Sequence, residues 1–433
     1  MVVLTSEPVA SIGAGKASRW SAAFNPVRFI FQREADDDRT NLRLELVITS
    51  GSKSIAGTFS PSPDGKIVAN IYSLLKSLIK PVDKFDHVNT HYIDRNLFAK
   101  YNVSWREIWE VTVDGNTTTV SDESESFNDY YITYSAMQLG EKFGGNMAEY
   151  VTFSGGSSAK FLTEFKEPTA WAGLPYDIAF ILSEKLIFKK VFFKYTPLNI
   201  NGEEVEGGIN LYYLLTEEGA KFLNEAGDGS AFLLEESEVP ALLETTVTDQ
   251  NTLPQDVGVV RLRVPEILAP AYKVKLEVFY IENNEAVKVT EDKTIRIEQP
   301  CSDPFVYLKW MNHLGSWDYF RFGYNQTITS EVDNDQVISR VVTDWENQDT
   351  VIDVVRKSAG EKIKVGGHGL NPDQLKALTW ARKGIKAQML VSADPVKWQT
   401  VVVQAGTDTR QLRSTAGSIA LTIQLPEANI QNQ

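Results

Sequence analysis

Residues 273–297 read KVKLEVFYIENNEAVKVTEDKTIRI. From Lys273 to Ile281 apolar and polar side chains alternate, the period of a strand with one buried and one wet face. Asn283-Asn284 supplies a turn, because asparagine tolerates turn backbone geometry, and Ala286–Val289 and Thr294–Ile297 resume as strands. A short-turned, alternating run of this kind is the signature of antiparallel sheet, and it sets the expectation for the rest of the chain.

Moving outward, the same pattern recurs at Val27–Phe31, Leu42–Thr49 and Lys53–Phe59, at Tyr176–Leu182 and Leu186–Tyr195, and at Lys397–Gln404 and Ser418–Leu425. Val111–Ser126, with the turn signal Asp114-Gly115-Asn116, reads as an exposed hairpin. Helices are few and short. Ile71, Leu74, Leu75, Leu78 and Ile79 share one helical face, with Asn70 as N-cap and Pro81 as stop. Thr216-Glu217-Glu218 starts a second helix that Gly227 ends. Asn371 caps a third, with Pro372 in its first turn, Leu375 and Leu378 on one face, and Gly384 closing it. The predicted class is mainly β with a few short helices (α+β), built from several β-sandwich-like modules. The loop Phe153–Ser158 divides a first domain, 1–155, from a middle β-rich domain, 156–300. A C-terminal α+β domain follows at 301–433 and reads strand, strand, helix, strand, strand.

Composition narrows the function classes. The 433 residues suit two to four domains. Acidic residues outnumber basic ones 57 to 43, giving a formal charge of −14. Such a chain is repelled by phosphate backbones, so direct nucleic-acid binding is not expected. The single cysteine, Cys301, forms no intrachain disulfide and reads as a buried small apolar residue in a fold suited to a reducing compartment. Met1–Gly15 lacks a signal-peptide pattern, and no apolar run is long enough for a membrane-spanning helix.

Four stretches invite a chemical reading. Gly13-Ala14-Gly15-Lys16-Ala17-Ser18 looks like a phosphate loop, but Ala10 and Ala17 stand where the motif needs glycine and a hydroxyl, so a flexible N-terminal arm is expected. His87 and His91, flanked by Asp86 and Asp94, have a metal-ligand spacing. Val88 and Thr90 disfavour the helix that spacing needs, so a solvated loop is expected. His313 and His368 offer little material for a Ser–His–Asp arrangement, and no nucleophile elbow accompanies them. Carboxylate pairs of glycosidase type are not readable from sequence. No catalytic residue, metal or cofactor is therefore assigned.

The dense aromatic segment YLKWMNHLGSWDYFRF, Tyr307–Phe322, carries the most weight. Aromatics fill cores or stack on sugars and partners. Tyr307, Trp310, Trp317, Tyr319 and Phe322 are the candidate interface cluster, with a domain-interface core favoured over an exposed binding platform.

Taken in order, the segments resemble virion proteins encoded among the tail genes of tailed phages and prophages of Bacteroidota. The likeness rests on Phe24–Phe31, on Leu42–Thr49, and on the short helix Ile71–Ile79. It rests most specifically on Tyr307-Leu308-Lys309-Trp310-Met311-Asn312 … Gly315-Ser316-Trp317-Asp318-Tyr319, which is similar to a recurring Tyr/Leu-x-x-Trp-x-Asn … Gly-Gly-x-Asp-Tyr element. Ser316 departs from the second glycine. The C-terminal helix, Met389–Ser392 and Lys397–Val403 complete it. The resemblance implies a non-enzymatic tail or tail-tip (baseplate) protein of the virion, assembled in the bacterial cytoplasm as a homo-oligomeric ring, with copies of itself and other virion proteins as partners. Competing readings are a module that binds a host receptor or surface glycan, a surface carbohydrate-processing enzyme, and a head or connector protein.

Overall fold

The computed structural model describes residues 1–13, 16–122, 125–138, 145–205, 211–214, 257–265, 271–283, 285–299, 304–339, 341, 344, 346–347, 352–408 and 416–427. Cys301 and the helix expected from Thr216 to Gly227 lie outside these residues. Strand dominates, as the alternation requires, and the chain forms several separate sheets with few short helices among the described residues. It divides into two compact units, Met1–Glu298 with Asn312–Trp317, and Gln299–Met311 with Asp318–Gln433.

The first unit begins with a sandwich. One sheet holds β1 (Val2–Ser6), β5 (Arg28–Arg33) and β8 (Lys66–Asn70). The facing sheet holds β4 (Trp20–Ala22), β6 (Thr40–Ser50), β7 (Lys53–Phe59), β10 (Phe98–Val113), β11 (Asn116–Ser121) and β12 (Glu125–Thr133). Alternate residues of both sheets meet in one core: Phe29, Phe31, Ile67 and Ala69 from the small sheet, and Leu42, Leu44, Leu46, Ile48, Val103 and Ile132 from the large one. Removing each larger apolar side chain from water contributes about 1.5–3 kcal/mol. The β10–β11 hairpin is the exposed one expected, its turn made by Asp114 and Gly115 at φ 50 and 78, the left-handed pair that a two-residue turn needs.

The first helix departs from its expected form. Helix covers Tyr72–Leu75 and tightens to a 3-10 turn at Lys76–Leu78, and Asn70 is not the cap. Asn70 ends β8, paired with Arg28, and its side-chain oxygen accepts from the Val27 amide instead. Strand registration takes the polar side chain, while Ile71, Leu75 and Ile79 still turn into the core.

The remainder of the first unit holds two further sheets. One contains β13 (Thr169–Trp171), β15 (Val191–Leu198), β16 (Leu211–Leu214), β18 (Lys273–Glu282), β19 (Glu285–Lys288) and β20 (Lys293–Glu298). Val274, Leu276, Val278 and Tyr280 of β18 point inward and are fully buried, and Asn283 turns the chain at φ 53. The strand expected at Leu186–Tyr195 starts only at Val191, because Ser183 caps a 3-10 turn at Glu184–Leu186 by accepting from the Lys185 amide. The second sheet is β14 (Asp177–Leu182), β17 (Gly258–Arg263) and β9 (His91–Ile93). A small hairpin pairs β2 (Ala10–Gly13) with β3 (Lys16–Ser18). This corrects the expected flexible arm: Lys16 donates to the carbonyl and hydroxyl of Ser154, tying the hairpin down.

The second unit is one sheet in the order β22 (Trp317–Phe322), β21 (Val306–Met311), β25 (Ala387–Ala393), β26 (Val396–Val403), β27 (Gly417–Gln424), β24 (Ile352–Leu370) and β23 (Tyr324–Ser339). Its helix, Pro372–Leu378, has the expected Asn371 cap, completed reciprocally by Gln374. Gly384 follows the next helical turn at an ordinary φ of −67. Its smallness matters instead, since a Cβ there would sit 2.5 Å from the Met311 carbonyl oxygen. The Phe31→Ala variant is expected to lose about 3–5 kcal/mol of unfolding free energy in urea titrations, whereas Thr118→Ala on exposed β11 changes it by less than about 0.5 kcal/mol.

Candidate interaction surface

The aromatic segment builds β21, β22 and the turn between them. Tyr307, Trp310, Trp317, Tyr319 and Phe322 are all buried. Within the second unit Tyr307 stacks on Tyr319 at 6.0 Å, both lie beside Trp398, and the Lys309 ammonium stands 3.9 Å from the Trp398 ring centre. These rings form packing, and none of the five offers a face to a ligand.

The turn belongs to the first unit. Asn312 organises it: its side-chain oxygen accepts from the amides of Leu314 and Ser316, and its amide nitrogen donates to the Leu162 carbonyl. His313 meets the buried Glu164 carboxylate at 2.9 Å. Gly315 has φ 85, and a Cβ would lie 2.8 Å from the Tyr134 carbonyl oxygen, so glycine is required twice over. Ser316, the departure from Gly-Gly, is buried and tolerated because its backbone alone closes the turn.

The segment around His87 and His91 also departs from expectation. It is buried rather than solvated, because it supplies counter-charges to Arg261 on β17. The fully buried guanidinium makes two 2.8 Å bonds to Asp177, one of 2.6 Å to Asp83 and one of 3.2 Å to Asp94. Phe85 covers it at 5.1 Å, and His87 stacks on Phe85 while its Nε2 stands 3.7 Å from Asp177. Burial pushes the Asp94 carboxyl up, against the lowering pull of Arg261. His91, buried beside Thr90, is pushed down to about 4 by desolvation. Among the described residues no three His, Cys, Asp or Glu side chains are arranged to hold a metal. The cluster is a structural cross-link.

A shallow cleft of about 920 Å³ in the first unit is lined by Ser11, Ile12, Glu149, Phe153, Lys160 and Lys288 among others. Its ammonium groups already face carboxylates: Lys160 pairs with Glu149 at 2.8 Å, and Lys288 with Glu277 at 2.5 Å and Asp292 at 2.8 Å. That arrangement does not favour an anionic ligand.

The surface left open is the ribbon made by β23 and β24, strands of 16 and 19 residues. β27 pairs with β24 from Lys362 to Leu370 and the Leu425 amide donates to the Glu361 carbonyl, so among the described residues Glu331–Ser339 and Ile352–Gly360 pair with each other alone. They extend roughly 30 Å as two strands. Register puts Ile328, Ser330, Val332 and Asn334 opposite Ile363, Glu361, Ala359 and Lys357 on one face. The other face carries Thr327, Thr329, Glu331 and Asp333 against Lys364, Lys362, Gly360 and Ser358, with Glu331 and Lys362 paired at 2.5 Å. Bulges interrupt the ribbon at Asn334/Gln336 and Gln336/Val337. Ile328 is 67% exposed, Val332 59% and Ile352 60%, with Val337 and Ile338 also exposed. A two-stranded ribbon is marginal in water, and isolated Ile and Val on an otherwise polar strand are the one sequence signal that points to it. Sequence reasoning, drawn to the aromatics, missed these residues.

No protein-family model matches the chain, and no curated protein matches it in sequence. Solved structures similar to it include one described as giving structural insight into host cell surface retention of a 1.5-MDa bacterial ice-binding adhesin, with 9% identity, 96% of each chain covered and a TM-score of 0.19. An ICAM-5 D1–D4 ectodomain fragment has 9% identity, 98% of this chain and 76% of that chain covered, and a TM-score of 0.20. The N-terminal four Ig domains of Dscam1 isoform 7.44 have 8% identity, 84% and 73% covered, and a TM-score of 0.17. Superpositions at these scores establish neither a shared fold nor a function.

Two measurements test the buried cluster. Arg261→Met is expected to destabilise the protein by about 3–5 kcal/mol, because it strands carboxylates without their partner. The unfolded chain protonates His91 near 6.5 and the native protein near 4, so in that interval the unfolded state binds more protons and stability falls as pH falls. His91→Gln removes up to about 3 kcal/mol of that dependence, read as the difference between the two proteins' urea midpoints from pH 7 to 4. Asp94 acts in the opposite sense in both proteins and drops out of the comparison.

Proposed function

We propose that this chain is a non-enzymatic structural subunit of a phage-type virion, placed at the tail or tail-tip (baseplate) and assembled with copies of itself into a ring alongside other virion proteins. The observation that carries the reading is the β23–β24 ribbon, which commits a long stretch of chain to an exposed, apolar-studded arm that contacts with other subunits would stabilise. The sandwich core around Phe31 and Leu46 and the Arg261 cross-link add support, since both spend buried chemistry on rigidity. The sequence likeness to tail-gene proteins supplies the particular assembly. Burial of Trp310, Trp317 and Tyr319 weighs against a glycan platform made from those rings.

Electron microscopy of the particle that carries the protein, and of the purified chain, tests the reading. A closed ring around an axial channel at the tail is the expected result, because head-to-tail contacts close by rotation. Isolated copies projecting from the periphery would overturn it in favour of receptor binding.

A further inference from the structure

Buried rows of the second unit's sheet run without interruption onto the ribbon. Leu421 pairs with Val365 and Ile423 with Ile363, and all four side chains are buried. Ile363 then pairs with Ile328 on the same face, and burial stops there: Ile328 and Val332 stand in solvent. The core face therefore continues past its own cover, and the ribbon carries it outward.

The charges on that face alternate in sign about a centre. Along β24 the face reads Lys357, Ala359, Glu361, Ile363, and along β23 it reads Asn334, Val332, Ser330, Ile328. A two-fold axis running across the strands through the Val332–Ala359 pair maps this pattern onto its complement. It lays Val332 on Val332, Lys357 on the partner's Glu361, Glu361 on the partner's Lys357, and Ser330 on the partner's Asn334. A head-to-head stack of this kind has the spacing of two packed sheets, about 10 Å.

We propose that the ribbon is a two-fold interface, on which a second copy of this chain stacks its own ribbon face to face. Two strands about 10 Å wide and roughly 30 Å long bury only about 300 Å² per partner, well below the ~800 Å² of a standard stable interface. The contact is therefore weak when alone and strengthened where other contacts already hold copies together. It is separate from ring closure, because a two-fold contact joins copies in pairs and does not generate a ring, and it takes only the Val332–Ala359 face of the ribbon, leaving the Glu331–Lys362 face to other subunits. Either contact can fail while the other stands.

Sedimentation velocity on the full chain, over a concentration series reaching ~100 µM, tests it in the range a small interface demands. The wild type is expected to show a concentration-dependent dimer, alone or as pairing of larger assemblies. Lys357→Glu and Glu361→Lys each place like charges together twice per interface, weakening pairing by about tenfold or more. The double variant Lys357→Glu/Glu361→Lys exchanges the two charges and restores it. All these positions are exposed, and circular dichroism confirms that each variant is folded. A wild type that never pairs, pairing indifferent to the single reversals, or a double variant as weak as the singles would each overturn the proposal.

Discussion

Arg261 is a cation that water would solvate far better than protein, and it is held with no exposure at all. That is tolerable only because three carboxylates reach it from two distant parts of the chain, Asp83 and Asp94 from one side of the sequence and Asp177 from the other. The short strand β9 thereby joins β17, and residues that sequence order would assign to separate domains fold as one unit. The hydrophobic cores supply most of the driving force. The guanidinium specifies which segments meet, since a mispaired arrangement would leave a buried charge uncompensated.

Much of the architecture was legible because strand alternation is a local property. Leu42–Thr49, Lys53–Phe59 and Lys273–Ile281 became strands within a residue or two, and the helix expected from Asn371 kept its cap but ends at Leu378, with a separate short turn, Trp380–Lys383, before Gly384. The misreadings share a physical cause, which is competition from partners remote in sequence. Asn70 would have capped a helix had Val27 not needed an acceptor. His87 and His91 look like loop residues until Arg261, far along the chain, draws their neighbours inward. Lys16 belongs to an anchored hairpin because of Ser154.

The candidate site was less legible than the fold. Tyr307–Phe322 is the most conspicuous segment in the sequence, and its conspicuousness reflects the volume it fills; its aromatics stack within a buried sheet, and its Asn312–Gly315 turn is specified by one side-chain amide and one carbonyl that leaves no room for a Cβ. The ribbon is nearly silent by comparison. Ile328 and Val332 are ordinary strand residues, and only the absence of a third strand beside them among the described residues gives them significance, a fact of topology that periodicity does not encode.

The bulges at Asn334 and Gln336 have a bearing on how association ends. A straight, uncharged ribbon edge invites further strands to add by backbone hydrogen bonding, and each addition regenerates the same edge, which is the route to fibrils. Here Glu331, Asp333 and Asp335 line the outer strand and the bulges break its register. Growth by strand addition along this edge is therefore disfavoured, so the exposed ribbon need not seed an aggregate.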